Sequence, residues 1–146
     1  SEPRLVAWDN YGVLPYVLNC DGLVSTQGAG YGFSICRVDG LWIYRSDGSC
    51  ATHDVLLVEL LAIFWGLKFA RIIGLTILQV YSDSREAIRL IHSSTEVYHE
   101  HWGLILLIRD LLSQFTGVQL SHTLREGNAL ADALAKHSSK LEAGEQ

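Results

Sequence analysis

Val17-Leu18-Asn19-Cys20-Asp21-Gly22 is an apolar run that ends in a carboxylate and a glycine. It reads as a core strand that delivers Asp21 to the edge of a sheet. Three further acids occupy places from which they could approach it. Glu59 interrupts an otherwise apolar helical stripe, Asp83 ends a second apolar strand at Val80-Tyr81-Ser82-Asp83, and Asp132 lies near the start of a closing helix expected over residues 128–140.

The elements around these acids follow from pattern. A first strand over residues 16–21 and a loop over 22–28 lead to a second strand over 30–38, where Tyr31, Phe33 and Ile35 alternate. Asp39-Gly40 signals a two-residue hairpin, so residues 41–45 pair back antiparallel, and Asp47-Gly48 closes that strand. Over residues 53–73 the period becomes helical. Val55, Glu59, Ala62, Gly66 and Ala70 share one face, whose small residues permit close approach to a sheet. Leu60, Leu61, Phe64 and Trp65 make the opposite face apolar too, which predicts a sheet below and another helix above. Gly74 stops the helix.

A fourth strand over residues 75–82 runs into a helix over 84–93, and a strand in that context is parallel to the first if the two share a sheet. A helix over 100–115 supplies the missing cover through Leu104, Ile105, Ile108, Leu111, Leu112 and Phe115. Residues 118–122 form a fifth strand, Arg125-Glu126-Gly127 a loop, and Asn128 the N-cap of the last helix. Residues 1–14 lack periodicity and read as a surface arm that Trp8 pins; residues 141–146 read as a frayed polar tail. With 146 residues, 49% of them hydrophobic, the chain reads as one domain able to bury its own core.

Each acid has a structural explanation. Asp21-Gly22 is a common turn pair, Asp83 with Glu86 fits a capping box, and Asp132 in a first helical turn complements the helix dipole. Glu59 resists this treatment, because a carboxylate on the sheet-facing stripe of a buried helix is costly unless something binds it. All four stand on elements that converge in an open sheet, beyond the carboxyl ends of adjacent strands. Hard oxygen donors of this kind suit Mg²⁺, with Mn²⁺ as a substitute. Two such ions about 4 Å apart activate water and stabilise a leaving oxygen in phosphodiester hydrolysis.

Other motifs are weaker. His99-Glu100-His101 lacks metalloprotease spacing, while His92 and His137 fall on helix surfaces. Gly28-Ala29-Gly30-Tyr31-Gly32 opens a strand rather than a helix and is no dinucleotide loop; it serves a bulge, a tight strand entry or close approach to a sugar-phosphate chain. Cys20, Cys36 and Cys50 have no Cys-x-x-Cys spacing and are odd in number, which argues against a disulfide framework or zinc site and fits a reducing, intracellular compartment. No run reaches the ~18 apolar residues of a membrane span. A net charge of −5 with scattered basic residues opposes broad phosphate binding, unless bound divalent ions supply the positive charge.

In the order of its elements and in its four acids, the chain resembles the ribonuclease H superfamily, specifically the plant-type domains of plant retroelements and free-standing plant proteins. The carrying pieces are residues 18–22, 58–62 with 66–70, 81–84, and 122–128 with 131–135. The resemblance implies an α/β fold with a five-stranded mixed sheet of order 3-2-1-4-5 and helices on both faces. It implies endonucleolytic cleavage of the RNA strand of RNA/DNA hybrids with two Mg²⁺ ions, Asp21, Glu59, Asp83 and Asp132 matching the metal-binding tetrad. Arg125 matches a residue that helps product leave, or else ties its loop down. Leu23 replaces a usual small residue, Trp65 a polar one, and no basic protrusion fits between Ser93 and Glu100. Hybrid binding would then be weak, or be supplied by another domain or protein. The alternative is a non-catalytic ribonuclease H-like module that binds nucleic acid or protein; an exonuclease of the same superfamily is a third reading.

Overall fold

The computed structural model describes residues 16–26, 28–37, 42–93 and 99–123. The elements run β1 (Tyr16–Ser25), β2 (Gly28–Arg37), β3 (Trp42–Cys50), α1 (Val55–Ile72), β4 (Ile77–Ser82), α2 (Arg85–His92), α3 (Trp102–Ser113) and β5 (Gly117–His122). They build one five-stranded sheet of order β3-β2-β1-β4-β5, as the resemblance implies. β1–β2 and β2–β3 are antiparallel, whereas β1–β4 and β4–β5 are parallel. The arm, the Asp39-Gly40 hairpin, the helix expected over 128–140 and the tail lie outside the described residues, as does His137.

Two strand limits depart from local reading. β1 does not end at Asp21: its parallel pairing with β4 stops at Cys20↔Ser82, but its antiparallel pairing with β2 continues to Ser25↔Gly28. β3 does not end at Asp47-Gly48, because both residues pair with β2, as Asp47↔Gly32 and Gly48↔Tyr31. A partner strand supplied hydrogen bonds that made the extended state cheaper than the turn.

The core is sealed by α1. Leu60, Ala62, Ile63, Leu67 and Ala70 are fully buried, alongside Leu18, Leu78 and Val80 of the sheet. Gly66 lets α1 approach β1 closely, since a Cβ there would stand 2.8 Å from a Leu18 methyl. Val55, placed on the buried stripe by its spacing, is instead 56% exposed as the first residue of α1. α3 covers α1 with Ile105, Ile108 and Leu112. Arg109 of α3 donates from Nε to the carbonyl of Ile91 at 2.7 Å and from Nη2 to that of Leu90 at 3.1 Å, satisfying the end of α2. No described helix is long and apolar enough to cross a membrane.

Candidate metal centre

Three carboxylates meet where the two modes of strand pairing part. Asp21 follows the last β1 residue paired to β4, Asp83 follows the last β4 residue, and Glu59 arrives from the second turn of α1. One oxygen from each lies within 4.8 Å of the other two. Asp21 and Asp83 are exposed, while Glu59 is 5% exposed. Asp83 is left to the site because Ser84 caps α2 instead, accepting from the Ala87 amide at 3.1 Å. Glu86, a capping partner of Asp83 on spacing alone, instead pairs with Arg89 at 2.6 Å.

Burial drives the Glu59 carboxyl up to about 9, helped by its hydrogen bond with Asp83 and by the negative charges of Asp83 and Asp21. The nearby Gly22 N–H pulls weakly the other way. Glu59 Oε1 is buried and makes no hydrogen bond of ordinary geometry. Burial, with Glu59 and Asp21 beside it, likewise raises the Cys20 thiol well above its usual range. Both shifts mark a site where added negative charge is costly. A buried orphan oxygen among an all-oxygen donor set fits a hard divalent cation.

Asp132 and Arg125 lie outside the described residues, and so does the Leu23 side chain. Beside Asp21 a groove of about 810 Å³ opens along the sheet, lined by Gly28, Gly30, Gly32, Arg45 and Ser49 among others. Trp65 is 40% exposed and meets Phe64 edge-on, with Lys68 Nζ 5.7 Å from its ring.

Two histidines make contacts between elements. His92 Nε2 is 3.3 Å from the Leu120 carbonyl. His101 joins α3 to α1 through a 2.7 Å contact between its Nε2 and Asp54 Oδ2, while Asp54 Oδ1 caps α1 by accepting from Leu57 N. That tie was not foreseen from sequence; an Asp before a helix signals a cap, but nothing local names its distant partner. The cysteines are free thiols.

Residues 19–138 match the family model described as reverse transcriptase-like. The chain belongs to that family, within the ribonuclease H superfamily. No curated protein sequence matches it significantly. Among solved structures, ribonuclease H1 of the halophilic archaeon Halobacterium salinarum is 19% identical with a TM-score of 0.69, over 82% of this chain and 93% of that one. The N-terminal ribonuclease H domain of Rv2228c from Mycobacterium tuberculosis is 22% identical with a TM-score of 0.70, over 86% and 99%. LC11 ribonuclease H1, isolated from compost by a metagenomic approach and solved with an RNA/DNA hybrid, is 20% identical with a TM-score of 0.62, over 82% and 92%. These likenesses show that the ribonuclease H fold is shared.

Proposed function

We propose that this ribonuclease H-like domain is a metal-dependent endonuclease that cleaves the RNA strand of RNA/DNA hybrids. The observation that carries the reading is the convergence of Asp21, Glu59 and Asp83 around the orphaned Glu59 oxygen. An interaction module would gain stability by replacing any one of these mutually repelling acids, and this chain keeps all three. Membership of the family and a fold shared with a protein solved on a hybrid support the substrate class.

Asp21, Glu59 and Asp83 would hold Mg²⁺ or Mn²⁺, two ions per site, with Asp132 as the fourth acid. Bound there, the ions supply the charge that activates water and stabilises a leaving oxygen in phosphodiester hydrolysis. Asp21 and Asp83 present their carboxylates to solvent and thus to a scissile phosphate. Glu59 anchors the floor of the site from α1 and must give up its proton as the ions enter. Arg125 is assigned to product departure. With a net charge of −5 and no basic protrusion, hybrid binding by the domain alone is weak and salt-sensitive, and a protein partner or further domain supplies additional grip.

The test is cleavage of a labelled hybrid in Mg²⁺ or Mn²⁺. The expected outcome is RNA-strand cuts with 5′-phosphate ends, reduced at least ~100-fold by Asp21→Asn. Wild-type cleavage no greater than that of Asp21→Asn at high enzyme concentration would leave the interaction module as the better reading.

A further inference from the structure

The sheet order leaves β3 at an edge, and its outer side faces no strand among the described residues. Edge strands invite pairing with other chains and are usually blunted by shortness, lysine or proline. β3 is nine residues long and contains neither; its pairing with β2 shifts register once, at Ile43, and is regular from Tyr44 to Cys50, and it exposes Ile43 and Tyr44 at 41% and 36%. On its inner side Arg45 pairs with Ser34 and Asp47 with Gly32, so neither charge meets its opposite across the ladder. Both side chains are exposed on one face of the strand, and neither forms an ion pair among the described residues.

We propose that β3 pairs antiparallel with β3 of a second copy of this chain, about a two-fold axis through Ser46. In that register Arg45 faces Asp47 of the second copy and Asp47 faces its Arg45, two opposite-charge pairs generated by one symmetry operation. Tyr44 faces Gly48, over which the Tyr31 ring of β2 lies. The charges also select the register: moving the axis to Arg45 or to Asp47 would set like charges face to face. On the α1 side, Tyr44 borders a cavity of about 330 Å³ that Trp65 and Ile72 also line, at 40% and 70% exposure. Pairing places this apolar rim beside the axis, where some of it leaves water.

Sedimentation velocity on the 146-residue chain, from micromolar to sub-millimolar concentration, tests the pairing. The wild type is expected to dimerise with concentration. Asp47→Arg and Arg45→Asp each create like-charge pairs across the axis and should raise the dimer dissociation constant roughly tenfold or more. An equimolar mixture of those two variants, and separately the double variant Arg45→Asp/Asp47→Arg, should recover the dimer. Three results overturn the proposal: a wild type that stays monomeric throughout, a dimer indifferent to both single variants, or single variants whose mixture recovers nothing while circular dichroism shows each folded.

Discussion

A side chain at position 22 and the carboxylate of Glu59 would compete for one space: a Cβ on Gly22 stands 2.9 Å from the Glu59 backbone nitrogen and runs into Oε1. Gly22→Ala therefore overpacks the floor of the metal centre. The expected loss is about 1–3 kcal/mol by urea denaturation, together with weaker Mn²⁺ binding by calorimetry. Binding equal to wild type would show that the carboxylate can swing aside.

Without an ion, Glu59 keeps its proton in the folded state up to about 9, whereas the unfolded chain releases it near the ordinary value of 4.5. The folded state thus binds more protons throughout that interval, and stability falls as pH rises through it. Urea midpoints in EDTA should decline across this range, and Glu59→Gln should flatten the slope. A wild-type profile parallel to that of the variant would place the carboxyl's titration elsewhere.

An arriving cation has to expel that proton. Calorimetry of Mn²⁺ binding near neutral pH, in buffers of different ionisation enthalpy, should report about one proton released per site loaded. Asp83→Asn should cost at least a factor of ten in Mn²⁺ affinity, about 1.4 kcal/mol. It should also leave the ion-free fold intact or stabilised, since one repelling charge is gone. Equal Mn²⁺ affinity in the two proteins would remove Asp83 from the centre.

Asp54 serves two partners, the Leu57 amide and His101. Asp54→Ala should destabilise by about 1–2 kcal/mol as cap and tie are lost together. Asp54→Asn keeps a capping oxygen and should lose less. A thermal double-mutant cycle with His101→Ala should be non-additive by roughly 0.5 kcal/mol or more; strict additivity would mean that the contact contributes nothing.

Some of this was legible along the chain and some was not. The apolar run before Asp21, the helical stripe around Glu59 and the stop at Gly74 depend on near neighbours, so local pattern reports them. The strand order came from the resemblance, since pairing between β1 and β4 links residues about sixty positions apart, as Cys20↔Ser82 shows. Asp47-Gly48 carries turn chemistry yet lies in a strand, because both residues pair with β2, a partner about sixteen positions away. Glu59 was conspicuous for the reason that makes it useful: an acid on a buried face demands an explanation. The contact of His101 with Asp54 bridges 47 positions and leaves no periodic trace.

That contact has a consequence for which changes the chain can accept. With Asp54 held by α3, the first turn of α1 has a fixed rotational phase, and each residue of an α-helix advances about 100° around the axis. Substitutions between Asp54 and Glu59 alter only what those positions display. A single insertion or deletion there would turn the carboxylate away from Asp21 and Asp83 by more than a quarter of a revolution. The spacing between these two acids is therefore a length rule, one that descendants of this sequence should keep even where the letters between them have changed.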